Sequence, residues 1–307
     1  SWSGVIHITF SAESAGDNSM KLFSSPRYVV DIGSHVFPTR KFGLVADALK
    51  SALELVEPAL PSREELLLAH DEAWVDKVIH CRMTLADETL MELPFSPALS
   101  EAHRLQVSGT ILACRQALGG GVGLHGGGGS HHAFADHGEG FCVLNDLASG
   151  ILAMRRERRI SRASVIDLDV HHGNGTAAIF ADDPDVFTFS MHQEDLYPAK
   201  KPASSLDIAL PAKTADQAYL KLLEKHLDAV FAHEPELVVY QAGVDVSQSD
   251  LLGGLKLTAV GIKKRDELVR DACRRRGVPV VVTLGGGYAS DLRHTVALHV
   301  QTLRVFC

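Results

Sequence analysis

Residues 167–176 read DLDVHHGNGT and set two carboxylates and two imidazoles directly behind ASVI (163–166), a mostly apolar run suited to the inside of a sheet. Asp167, Asp169 and His171 follow one another at a spacing of two, so on extended backbone their side chains share one face. That spacing lets Asp169 and His171 ligate one metal ion. Asp245, in VDVSQSD after another apolar run, completes a set of two carboxylates and one imidazole. A ligand charge of about −2 cancels a divalent cation and leaves a coordination position for water or substrate. Zinc fits this donor set, which is also hard enough to accept ferrous iron.

Taken singly, each residue has a plainer reading. An Asp at a strand end is ordinarily a turn former, Asn174 would cap a helix beginning near Thr176, and His172, on the opposite face from His171, reads as structural. The combination argues otherwise. Burying carboxylates without a counter-charge is costly, so acids clustered at strand ends imply a cation.

Two further groups belong to the same chemistry. His131 and His132 sit in GGGGSHHAFADHGEGF; being adjacent, they cannot share a strand face, and the glycines suggest a loop that turns both rings inward. A histidine pair beside a metal suits acid–base work on a metal-activated water. Tyr288 follows three glycines and reads either as a packing residue or as a phenol that donates to a developing oxyanion.

The elements that position these groups are short apolar runs at 121–125, 163–169, 186–192, 237–243 and 278–284. They are mostly continuous rather than alternating, the pattern of strands covered on both faces. Helix-like segments at 41–56, 98–118, 145–159, 215–233 and 258–276 separate them. This alternation predicts a single α/β domain, a central parallel β-sheet with helices on both faces. Ligands of such sheets bind beyond the carboxyl ends of the strands. Four of those ends carry the histidine pair, the DLDVHH segment, Asp245 and Tyr288.

Composition narrows the classes. The chain has 307 residues, 46% of them hydrophobic, with a net charge of −8, which leaves no basic footprint for direct nucleic-acid binding. No apolar stretch approaches the roughly 20 residues of a membrane span. Five cysteines, an odd number without a CxxC pair, argue against a disulfide framework and a thiolate zinc site. A reducing compartment is expected: cytoplasmic, or nuclear in a eukaryote. Residues 1–19 precede MKLFSSPRYVVD, a natural start, and read as an appended remnant or N-terminal extension ahead of a catalytic domain at 20–307.

Taken in order, SHHAF (130–134), GEGFCVLND (138–146), IDLDVHHGNGT (166–176), QAGVD (241–245) and LGGGY (284–288) resemble the motifs of the zinc-dependent histone deacetylase family. The resemblance runs from about Ser24 to about Phe306, and residues 93–110 and 251–269 look closest to its class IV branch and bacterial relatives. It implies an arginase/deacetylase fold, with Asp169, His171 and Asp245 as zinc ligands. It also implies His131 and His132 as the tandem histidines and Tyr288 as the tyrosine that polarises the amide carbonyl. Gly140 and Phe141 match residues lining a tunnel for the acylated lysine, with Tyr197 as an opposite wall. Asp167 matches the carboxylate that orients His131 and, with the Ser190 region, a structural potassium site. Asn174 departs from branches that carry Asp there. A neutral partner stabilises imidazolium less, so His132 is expected neutral, as a base, and His131, facing Asp167, protonated.

The implied activity is hydrolysis of the side-chain amide of an acylated lysine, acetyl or longer. Three alternatives remain: a deacetylase of acetylated polyamines, a catalytically silent acyl-lysine binding module, and an arginase-like hydrolase with two manganese ions. The intact motif set argues against the second. The third would need more bridging carboxylates than these motifs supply.

Overall fold

The structure, a computed structural model, describes residues 20–307; the 1–19 extension lies outside the described residues. Among the described residues the strands are β1 (Lys21–Phe23), β2 (Glu54–Val56), β3 (Val122–His125), β4 (Ala163–Asp167), β5 (Val186–Gln193), β6 (Leu206–Leu210), β7 (Val238–Gln241) and β8 (Val280–Thr283). They form one sheet in the order β2-β1-β3-β8-β7-β4-β5-β6, parallel throughout. The helices are α1 (Arg40–Leu49), α2 (Arg63–Leu66), α3 (Glu72–Ile79), α4 (Leu85–Met91), α5 (Pro97–Gly120), α6 (Asp146–Arg156), α7 (Asn174–Ile179), α8 (Asp216–Ala232), α9 (Ala259–Arg276) and α10 (Leu292–Phe306).

The continuous apolar runs have the expected cause. Along β4, Ile166 joins one core with Phe42, Leu223, Ile262 and Leu298 from α1, α8, α9 and α10. Its neighbour Val165 joins a second core with Val75, Ile111 and Ile151 from α3, α5 and α6. Both faces of the sheet are therefore buried, and each aliphatic side chain so placed contributes about 1.5–3 kcal/mol. Local signals fix where the long helices stop. The Ser96 hydroxyl caps α5 by accepting from Leu99 N–H, Pro97 opens the first turn, and Gly121 closes the helix at φ 87°.

Three expectations change. The helix expected at 41–56 ends at Leu49, and Glu54–Val56 becomes strand β2, which pairs with β1. Three-residue strands carry too little periodicity to be told from a helix end, and the partner that stabilises β2 lies more than thirty residues away. Strand β6 escapes an apolar-run criterion because it is an edge strand, alternately exposed and covered. The run at 163–169 is a strand only as far as Asp167, so Asp169 and His171 lie beyond regular extended backbone.

Strand β3 and helix α5 meet at Gly123, where a Cβ would stand 1.9 Å from the carbonyl oxygen of Ala113. Because that neighbour is backbone, it cannot swing aside. Gly123→Ala is expected to lower stability by at least ~1–3 kcal/mol, read as an earlier midpoint in denaturant unfolding. A midpoint within error of the parent would mean that the helix lifts off the sheet without cost.

Candidate active site

Strands β3, β8, β7 and β4 lie side by side in the sheet, and their carboxyl ends release the four segments that carry the polar residues. Past the end of β4 the chain is held by its own acids. Asp167 Oδ1 accepts from the Asp169 N–H at 3.2 Å, and Asp169 Oδ1 accepts from the His171 N–H at 3.0 Å. The spacing of two thus works through successive side-chain-to-backbone turns rather than through the pleat of a strand.

Those turns bring Asp169, His171 and Asp245 together. His171 Nδ1 lies 3.1 Å from Asp169 Oδ1 and 3.2 Å from Asp245 Oδ2, and one donor atom from each residue falls within 4.8 Å of the others. Backbone makes room for them. A Cβ on Gly286 would stand 1.9 Å from Asp245 Oδ2, and one on Gly243 would stand 2.2 Å from Asp169 Oδ2. Remaining lone pairs are engaged by Gly286 N–H on Asp169 and Val170 N–H on Asp245.

The residues present fit a divalent cation. Burial, with Asp169 alongside, pushes the Asp245 carboxyl up to about 7. Burial opposes charge on His171, yet the two carboxylates hold its pKa up at about 10, so a proton fills the role that a cation would take. Two oxygens and one imidazole nitrogen form a set suited to zinc.

The tandem histidines lie in a turn after β3, their ring centroids 4.1 Å apart. His131 donates from Nδ1 to Asp167 Oδ2 at 2.7 Å. Burial disfavours a charge there, but Asp167 and Asp169 raise His131 to about 9. His132 is the opposite case: burial, reinforced by the charges of His131 and His171, pushes it well below the ordinary imidazole value. Its Nδ1 meets Asn174 Oδ1 at 2.7 Å, while Asn174 Nδ2 donates to the Glu139 carboxylate. The carboxylate fixes which end of the amide faces His132, so the proton sits on Nδ1 and the Nε2 lone pair is free. Asn174 is the first residue of α7 and does not cap it.

Replacing Asn174 by Asp places a negative charge against Nδ1 and stabilises the imidazolium. Since a base works from its neutral form, Asn174→Asp should move the acidic limb of the kcat/KM profile to higher pH by about one unit. An unmoved limb would remove Asn174 from any tuning role.

Tyr288 is buried, and burial together with Asp245 and Asp169 holds its phenol well above the usual range, so it keeps its proton. Its ring stands 5.9 Å from that of Phe141, which stacks on Phe37 at 5.6 Å. Tyr197 closes the opposite side, 5.1 Å from His132, and so near Gly140 that a Cβ there would meet its ring at 2.8 Å. Gly140, Phe141, Tyr197 and Tyr288 line an outer cavity of ≈ 320 Å³ with His132, His171, Val36, Glu92, Leu196 and Leu252. Asp167 and Ser190 face each other in the β4–β5 register, the Ser190 hydroxyl lying 3.0 Å from His192 Nδ1.

Two supporting residues have roles that their neighbours in sequence do not reveal. Asp146 accepts from the N–H groups of Gly129 and Ser130, just ahead of the histidine pair, and from the Thr110 hydroxyl. Lys41 is fully buried behind Tyr288, 5.5 Å from its ring, and donates to the Gly285 carbonyl. Asp146 reads as a helix-start residue and Lys41 as a surface cation; only the fold brings them inside.

The profile of the histone deacetylase domain matches residues 35–303. The chain belongs to the histone deacetylase family. An uncharacterized protein of Picosynechococcus sp. is 39% identical over 89% of this deacetylase family member and 94% of its own length. Histone deacetylase 2 of Arabidopsis thaliana is 32% identical over 88% of this chain and 73% of its own. The crystal structure of the HDA15 HD domain superposes with a TM-score of 0.76, covering 94% of this chain and 90% of that one at 22% identity, which establishes the fold. Membership supports deacetylase chemistry, hydrolysis of an amide, in a fold of the deacetylase type. Among the described residues no helix is long and apolar enough to cross a membrane, and all five cysteines are free.

Proposed function

We propose that this deacetylase is a zinc-dependent lysine deacylase that removes acetyl or longer acyl groups from lysine side chains of proteins or peptides. The observation that carries the reading is the outer cavity. Its walls, Phe141, Tyr197 and Leu252 with the Gly140 backbone, are mostly apolar and lead to His132, His171 and Tyr288. An alkyl chain ending in an uncharged amide suits such a passage, whereas a free ammonium would lose its hydration there.

A divalent cation held by Asp169, His171 and Asp245 would supply Lewis acidity toward the amide carbonyl and toward the attacking water. Asp167 and Ser190 would hold the structural potassium. His132, neutral with its proton on Nδ1, takes a proton from the attacking water through Nε2. Tyr288 donates from its phenol to the oxyanion that forms on the carbonyl oxygen. His132 then returns its proton to the departing lysine nitrogen as the C–N bond breaks. His131, charged against Asp167, lends a fixed positive field throughout. Amide and water become a free amine and a carboxylic acid.

One feature favours a second substrate class. Glu92 at the cavity wall would pair with the distal ammonium of an acetylated polyamine. The test is a turnover panel of acetyl-, octanoyl- and myristoyl-lysine peptides beside acetylated polyamines. At least one acyl-lysine peptide should exceed the polyamines in kcat/KM; turnover of polyamines alone would reject the lysine reading.

A further inference from the structure

A second group of metal donors lies on the sheet near the edge strand, apart from the site just described. In β5, Ser190 and His192 are two residues apart and share a face; in the β5–β6 register Ser190 sits opposite Asp207, which brings Asp207 to the same face. The loop after β4 adds His172. Its Nε2 lies 3.2 Å from Asp207 Oδ1 and 3.3 Å from the Ser204 hydroxyl, and its ring meets that of His192 edge-on at 4.7 Å. One donor atom each from His172, His192 and Asp207 falls within 4.8 Å of the others.

The arrangement is built rather than scattered over a surface. His172 is fully buried and its Nδ1 has no hydrogen-bond partner, so its polar contacts all run through Nε2 toward Asp207 and Ser204. His192 is nearly as buried and is oriented through Nδ1 by the Ser190 hydroxyl, which leaves Nε2 for a ligand. Asp207 is partly exposed, giving an ion a route from solvent. A cation shared between the two rings would take a nitrogen from each and an oxygen from Asp207.

We propose that His172, His192 and Asp207 form a second metal site, for a borderline divalent transition ion such as zinc. Two nitrogen donors select against potassium, magnesium and calcium, which take oxygen ligands. Three protein ligands leave one position for water. The ion joins β5 and β6 to the residue that follows His171, so occupancy fastens the edge of the sheet to the loop carrying a proposed catalytic-metal ligand. The site stands without the lysine-deacylase reading, since none of its three residues lines the outer cavity.

The test is metal content of the full chain after dialysis against a buffer that holds free zinc in the micromolar range. The wild type should carry two zinc ions per chain, Asp207→Asn one, Asp245→Ala one, and the double variant none. Asp207→Asn keeps size at a partly exposed position, so it should fold. The thermal midpoint of Asp245→Ala should rise on adding zinc, and the rise should vanish when Asp207→Asn is added. One ion in the wild type, or one retained by the double variant, would overturn the second site. Should Asp245→Ala keep two ions while Asp207→Asn loses one, the second site stands and the assignment of Asp245 fails.

Discussion

Asp245→Ala should lose deacetylase activity because it loses the metal at Asp169 and His171. Removing a group that merely supports a ligand costs roughly 10- to 100-fold in affinity or activity. Deleting one of the three proposed ligands should cost well above that, with turnover at background at any zinc concentration short of saturating a weakened site. The metal-free protein should change less. Asp245 is fully buried beside Asp169, and that burial raises its carboxyl to about 7, so part of its charge is a cost at neutral pH. Against this, the substitution loses two hydrogen bonds, from Val170 N–H and from the His171 ring. Without metal the two contributions oppose each other, while with zinc the parent should gain more stability than the variant. A variant that holds zinc at this position as tightly as the wild type would refute the ligand set.

The layering of the fold was legible because the interior strands have one cause for their composition. ASVI in β4 and VVV in β8 are covered on both faces, and burial on both sides leaves a continuous apolar run in the sequence. Where that cause fails, so does the reading. Edge strand β6 is half exposed, and β1 and β2 are three residues each, defined by their pairing with distant chain rather than by their own pattern. Helix α10 buries Leu298, Leu303 and Phe306 but opens with a polar turn behind Asp291, whose side chain caps it by accepting from Arg293 N–H, a start signal that the apolar-run reading passes over.

The site was legible for a different reason. Carboxylates with a histidine, paired histidines and a tyrosine are residue types that folding alone seldom places behind buried strands, so the candidate site they form points to chemistry before geometry is known. The geometry reached the same convergence by another route: the strand ends at Asp167, and the turns made by Asp167 and Asp169 do the aligning. What supports the site stayed hidden. Glu139 fixes the Asn174 amide, Asp146 anchors the loop ahead of His131, and Lys41 closes the back of Tyr288; Glu139 and Asp146 lie within GEGFCVLND, but nothing in that run assigns either of them its contact. Their roles depend on contacts across at least sixteen residues of chain. His172 shows the same limit, since its structural reading becomes a metal-donor reading only once β5 and β6 are seen beside it.

Tyr288→Phe should lower kcat by about 10²- to 10³-fold, the cost of one lost oxyanion donor, with zinc content unchanged and KM nearly so. The substitution isolates the hydroxyl. A phenylalanine keeps the ring against Phe141 and within reach of the Lys41 ammonium, and the backbone N–H still donates to Asp250 Oδ2 at 2.7 Å. The phenol holds its proton because burial and the two acids disfavour phenolate, so it has a proton to donate. A donor aimed at charge that develops during reaction stabilises the transition state more than the bound amide, which places the loss in kcat rather than in KM. If Tyr288 were packing alone, the variant would turn over normally, since its apolar contacts survive. If it instead held the metal loop in place, zinc content would fall with activity. Steady-state kinetics and metal analysis on one preparation therefore distinguish the three roles, and only a fall in kcat with zinc retained fits the oxyanion donor.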